Sequence, residues 1–278
     1  MSKVYLFPGQ GSQKVGMGEE LFDRFADLTA QADEILGYSI KELCLEDPNE
    51  VLSTSTDYTQ PALFVVSALS YLAKIEDGGE KPVAVAGHSL GEYNALFAAG
   101  AYDFATGLKL VQKRGALMSK AAGGGMAAVL MMPEDDIKAI INDKWPGIDV
   151  ANFNSPNQIV ISGLKDDIVN AQPDFEAAKR YVVLPVGGAF HSRYMKDSAD
   201  EFKEFISGFS FNELECDVYA NLTAQPYKGD EIVDNLVQQI YSSVRWVETI
   251  QNLRATGEHE YEEVGPGRVL AGLLRQIK

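Results

Sequence analysis

Basic residues are scarce in this chain. Its 278 residues include 24 Lys and Arg against 40 Asp and Glu, for a formal net charge of −16. Such a surface repels phosphate backbones and anionic lipid, so nucleic acid and membrane are poor partners for it. Cysteine is nearly absent. Cys44 and Cys216 make no disulfide framework and have no metal-ligand spacing, which suits a reducing compartment. No apolar run approaches the ~18 residues of a membrane span, and the apolar stretch in "MSKVYLFPGQGS" is too short for a signal peptide. A cytoplasmic protein is expected. There are only three histidines, His88, His191 and His259. Candidates for general base are correspondingly few. What the chain does have is an ordinary globular composition, 46% hydrophobic and 23% charged, enough to fill a core.

Up to about residue 122 the pattern alternates between strand and helix, which predicts a mostly parallel sheet covered by helices. "KVYLF" reads as a strand that stops at Pro8-Gly9. "EELFDRFADLTAQADEIL" has apolar residues at helical spacing. "QPALFVVSALSYLAKI" is predicted as a buried helix with Pro61 in its first turn. "YDFATGLKLVQKRGALMSKAA" follows as a helix with Phe104, Leu108, Val111, Gly115 and Met118 on one face. After the break at "GGG", residues 123–188 read β-α-β-β-α-β, the ferredoxin-like split unit. Pro173 is expected to divide its second helix. Residues 189–278 return to the first pattern, with one long helix expected over "NLVQQIYSSVRWVETIQNLRATG". The fold class predicted is α/β, a hydrolase-like core (1–122 and 189–278) carrying an inserted ferredoxin-like subdomain (123–188).

The most constrained backbone surrounds one serine. "PVAVAGHSLGEYNALFAAG" runs from an apolar strand into a helix, and "GHSLG" fits G-x-S-x-G around Ser89. In such an elbow the serine hydroxyl is thrust out above the sheet at a helix N-terminus, where backbone N–H groups favour a developing oxyanion. Gly87 and Gly91 are required because side chains there would meet the neighbouring strand and helix. A plain tight turn is the bland alternative. The hydroxyl needs a base. His88 adjoins the serine and is expected to be structural. His259, in "TGEHEYEE", is read as a solvated histidine in a polar loop. His191, in "GGAFHSRYM", follows a strand exit and is the favoured base. The order serine, acid, histidine of an ordinary esterase is not evident, since the acids between Ser89 and His191 fall mostly in helices of the insertion. Arg114 sits at the edge of an apolar helix face, between Leu110 and Met118. Taken alone, that position suits a snorkelling surface arginine until something needs its charge.

Six segments in order, "FPGQGSQ", "GHSLGEY", "VQKRGALM", "NFNSPNQIVISG", "AFHS" and "YEEVGPGRVLAGL", resemble the malonyl-CoA:acyl-carrier-protein transacylases over nearly the whole chain. The resemblance implies that Ser89 takes malonyl from coenzyme A as an ester and that His191 is the general base. It implies a main-chain carbonyl behind the histidine, placed at Arg245 in "SVRW". It further implies an oxyanion hole from the backbone N–H groups of Gln10 and Leu90. Arg114 matches the arginine that grips the malonyl carboxylate, and Gln60 lies in the same pocket. Met118, one turn beyond Arg114, is counted with them, and Phe190 is expected to border the substrate's α-carbon. No cofactor and no metal are implied. Phosphopantetheine arrives on an acyl carrier protein.

"AFHS" further resembles the malonyl-selective acyltransferases of polyketide synthases. The chain is similar to their free-standing, trans-acting members and is expected to be a monomer. Arg193 and Lys196 are weak candidates for carrier docking. The rival readings are a housekeeping fatty-acid transacylase, a proofreading acyl hydrolase, and a non-catalytic docking subunit with no need of Ser89 and His191.

Overall fold

The computed structural model describes residues Met1–Lys278. The chain opens with β1 (Ser2–Phe7), followed by α1 (Glu19–Phe22), α2 (Ala26–Leu36) and α3 (Ile40–Leu45). Next come α4 (Thr56–Glu76), β2 (Ala84–Gly87), α5 (Gly91–Ala98) and α6 (Phe104–Lys120). Helix α4 starts earlier than the sequence pattern suggested. Its first turn begins at Thr56, so Pro61 lies inside the helix. This buried helix packs against α5 and α6 and carries Gln60 inward, 1% exposed.

A second run contains β3 (Gly124–Leu130), α7 (Glu134–Lys144), β4 (Asp149–Ser155), β5 (Gln158–Leu164), α8 (Lys165–Asn170) and β6 (Arg180–Val183). Pro173 divides its second helical stretch, as expected. Helix α8 ends at Asn170, and a short 3₁₀ turn over Gln172–Phe175 follows. The chain closes with α9 (Lys196–Ile206), β7 (Asp217–Tyr219), α10 (Ile232–Gln239), α11 (Trp246–Ala255), β8 (His259–Glu263) and α12 (Val269–Leu274). The single long helix expected near the end is therefore two. Ser242 and Ser243 lie in the break, where Val244 forms an isolated bridge with Asn152 and exchanges backbone hydrogen bonds with Ala151 and Phe153.

The two sheets differ in kind. The first has the order β7-β2-β1-β8, and every pairing in it is parallel. The second has the order β4-β5-β3-β6, every pairing antiparallel, which is the ferredoxin-like arrangement. Period-2 alternation explains how the small sheet serves two layers. Met126 and Ala128 of β3 join the main core, while Ala127 and Val129 face the small sheet's own helices. No helix is long and apolar enough to cross a membrane.

Candidate active site

Strand β2 ends at Gly87 and α5 begins at Gly91, with three residues between them. Ser89 between them has φ 52°, in the left-handed region, which costs a non-glycine residue about 1–3 kcal/mol. The flanking glycines show why the turn is so tight. A Cβ on Gly87 would lie 1.9 Å from the backbone of Gly91, and a Cβ on Gly91 would lie 2.0 Å from the Phe7 carbonyl oxygen. Neither position has room for a methyl group. The strained turn is held by Asn221, whose Oδ1 accepts from Ser89 N at 2.6 Å while its Nδ2 donates to Gly87 O at 2.6 Å.

Ser89 Oγ lies 2.7 Å from His191 Nε2. On the far side of the ring, Nδ1 lies 2.9 Å from the Gln239 carbonyl oxygen and 3.2 Å from that of Ser242. Carbonyls only accept, so Nδ1 carries the proton and Nε2 is left free to accept the serine's. Burial pushes the imidazole down to about 3, and the nearby Arg114 charge acts in the same direction. The ring is therefore neutral, as a base must be. The orienting carbonyl is not that of Arg245. Arg245 caps α11, and its carbonyl accepts from Thr249 N at 3.0 Å and Thr249 Oγ1 at 2.9 Å. The chain break before α11 turns Gln239 and Ser242 toward the histidine instead.

Arg114 is not a surface residue. It is 1% exposed, and burial lowers its basicity. Close packing of α6 on α4 explains this: a Cβ on Gly115 would already lie 3.2 Å from Asp57 Cα. The guanidinium donates from Nη1 to Gln60 Oε1 at 2.7 Å. From Nη2 it donates to Gln239 Oε1 at 2.8 Å and to Ser89 Oγ at 3.1 Å. Gln60 Nε2 in turn donates to Met118 Sδ at 3.4 Å. The backbone N–H groups of Gln10 and Leu90 have no acceptor within the protein.

These residues line one cavity of about 110 Å³, which includes Gln10, Gln60, Ser89, Leu90, Arg114, Met118, Phe190 and His191. Of the site residues read from the sequence, Arg245 alone lies elsewhere. His88 is structural in its contacts: Nε2 lies 2.7 Å from Asn154 Oδ1, and the ring packs edge-on to Trp246. His259 opens β8 rather than a polar loop, half-buried, with Ser2 Oγ and Thr256 Oγ1 each at 2.8 Å. Arg193 and Lys196 are paired with Asp149 and Asp200.

Sequence reasoning missed three polar residues beneath the elbow, Asn221, Gln239 and Glu92, all essentially buried. Only Asn221, between Ala220 and Leu222, stands among apolar neighbours, a pattern that suits a buried polar group with an internal partner. It also missed the roof contributed by Met126, Asn152, Leu184 and Val186 from the smaller-sheet segment.

The arrangement brings a serine hydroxyl, a neutral imidazole, two free N–H groups and a buried cation to one cavity. That combination suits acyl transfer with an anionic acyl group. Comparison with known proteins agrees. A polyketide biosynthesis malonyl CoA-acyl carrier protein transacylase of Bacillus velezensis, BaeC, is 55% identical over 99% of this chain and 96% of its own. A malonyl CoA-acyl carrier protein transacylase structure from Burkholderia pseudomallei is 46% identical, with a TM-score of 0.97 over 100% of this chain and 98% of that one. A malonyl-transacylase in complex with its type II polyketide synthase acyl-carrier protein is 36% identical, with a TM-score of 0.94 over 100% and 93%. The family model for the acyl transferase domain matches residues 4–276, and this chain belongs to that family.

Proposed function

We propose that this protein moves malonyl from malonyl-CoA to the phosphopantetheine thiol of an acyl carrier protein through an ester on Ser89, acting in trans to a polyketide assembly line. The observation that carries this reading is Arg114, a buried cation 3.1 Å from the candidate nucleophile. His191 Nε2 takes the proton as Ser89 Oγ attacks the thioester carbonyl. The N–H groups of Gln10 and Leu90 receive the oxyanion. Collapse of the tetrahedral intermediate expels the coenzyme A thiolate, which takes the proton from His191. Arg114 meets the malonyl carboxylate with the planar fork that suits it. The carrier thiol then repeats the sequence in reverse, with His191 again as base. No cofactor enters these steps. The polyketide assignment is supported by the 55% identity to BaeC and by "AFHS" at His191. A housekeeping role in fatty-acid synthesis would use the same chemistry with another carrier.

Incubation with radiolabelled malonyl-CoA tests the reading. Stable label on the protein that passes to a carrier protein supports transfer. Rapid loss of label to water indicates a hydrolase, and absence of label indicates a non-catalytic subunit. Transfer rates to polyketide-synthase and fatty-acid carriers separate the two pathways.

A further inference from the structure

Arg114 and Glu92 are buried opposite charges that do not touch. Glu92 is fully buried in the first turn of α5. Its carboxylate accepts from Asn221 N at 3.1 Å, from Gln239 Nε2 at 2.7 Å and from Tyr227 Oη. None of these donors is a cation. Arg114 in turn has only neutral acceptors, on Gln60, Ser89 and Gln239. The Gln239 amide joins the two charges, with Nε2 on Glu92 and Oε1 on Arg114. A carboxylate placed directly on Arg114 would occupy the face a substrate carboxylate needs. One placed beyond an amide leaves that face open and still attracts the guanidinium.

We propose that Glu92 is a positioning residue that acts on Arg114 through Gln239, competing from a distance with the acyl carboxylate and so limiting how tightly malonyl is held. This rests on the reading of Arg114 as the carboxylate-binding group. A grip limited in this way lets the site release its acyl group to the carrier rather than store it. The titratable and charged groups around Glu92 are Arg114, Tyr227, Tyr93 and Tyr102. Burial holds all three tyrosines above their ordinary range, and it raises Glu92 to about 7. Between pH 6 and 8, Glu92 is thus the member of this group that changes charge.

The test is calorimetric binding of malonyl-CoA and acetyl-CoA to the full chain carrying Ser89→Ala, which forms no ester. The readout is the ratio of the acetyl-CoA Kd to the malonyl-CoA Kd. Both donors carry the same coenzyme phosphates, so their titration cancels in the ratio. At pH 8, adding Glu92→Gln removes the competing charge, and the ratio is expected to rise roughly three- to ten-fold. With Glu92 intact, the ratio should rise as pH falls from 8 to 6, because Glu92 takes up a proton. With Gln at 92 it should stay flat. A ratio that is unchanged or lower in Glu92→Gln at pH 8 overturns the proposal. If that variant does not fold, the pH series on the Glu92 protein decides alone, and a flat ratio overturns it. An Arg114→Ala arm separates the two ideas. If it leaves the ratio as it was, the carboxylate-binding role of Arg114 is what fails.

Discussion

Arg114 Nη2 on α6 and Ser89 Oγ in the turn before α5 stand 3.1 Å apart, 25 residues apart in the chain. The contact is possible because two constraints coincide. Gly87 and Gly91 permit the turn that lifts Ser89, and Gly115 lets α6 settle against α4 so that Arg114 points inward.

Arg114→Ala should lose malonyl loading by about 10²-fold or more, since stranding one partner of a charge pair costs ~2–5 kcal/mol. It should also gain relative activity toward acetyl-CoA and hydrolyse a larger share of what it loads. Lysine should rescue only in part, because it lacks the planar fork. Acyl-enzyme formation and decay with both donors measure this. Retention of the malonyl preference in Arg114→Ala would contradict the role.

Ser89→Ala should leave the fold intact, as circular dichroism checks, and abolish self-acylation, as intact-mass spectrometry after incubation with malonyl-CoA checks. His191→Ala should slow acylation by roughly 10²–10⁴-fold. His259→Ala should have little effect, since that histidine contacts only Ser2 and Thr256 through its ring nitrogens. A larger loss from His259→Ala than from His191→Ala would reverse the assignment.

The depressed basicity of His191 predicts a pH profile. The base works in its neutral form and is held down to about 3 from 6.5. At saturating malonyl-CoA, acylation should therefore show no limb near pH 6.5 and should fall only well below pH 5. The stability sign follows from the same depression. The unfolded chain takes up the proton first, so the contribution of neutral His191 is present above pH 6.5 and is lost as pH falls toward 3. An acylation rate that halves near pH 6.5 would rule this out.

Phe190 should favour malonyl over methylmalonyl. The ring is 7% exposed, lines the cavity beside His191, and packs so closely over Gly188 that a Cβ there would lie 2.3 Å from Cε1. A ring in that place occupies space a branch would need. One methylene is worth ~1–3 kcal/mol of discrimination, so the preference should be clear but finite. Equal loading rates from the two thioesters would remove Phe190 from the specificity argument.

Gly87→Ala should destabilise the fold by about 3 kcal/mol or more, because the added methyl meets backbone that has no room to move. Chemical denaturation measures it. A wild-type midpoint would mean that the elbow is looser than these distances require.

The sequence alone determined the features that local chemistry controls. The strand-glycine-serine-glycine-helix order is contiguous in the chain, so the elbow at Ser89 was legible. Period-2 and helical spacing gave the ferredoxin-like order, and Pro173 divided its helix through its own missing N–H. The pairing of Ser89 with His191, and the pocket residues Gln10, Gln60, Leu90, Met118 and Phe190, were recognisable from motifs whose order matches a family.

Tertiary structure decided the rest. Which carbonyl holds His191 depends on where the chain breaks between α10 and α11. That break is set by the Val244 bridge to Asn152, some ninety residues earlier in the chain, so Gln239 and Ser242 took the place expected of Arg245. Whether Arg114 is a surface or a buried cation depends on how closely two helices approach, which periodicity does not report. The network of Glu92, Asn221 and Gln239 joins three distant segments beneath the elbow. Burial turned three ordinary polar letters into obligate partners, because a polar group without water must find another within the fold.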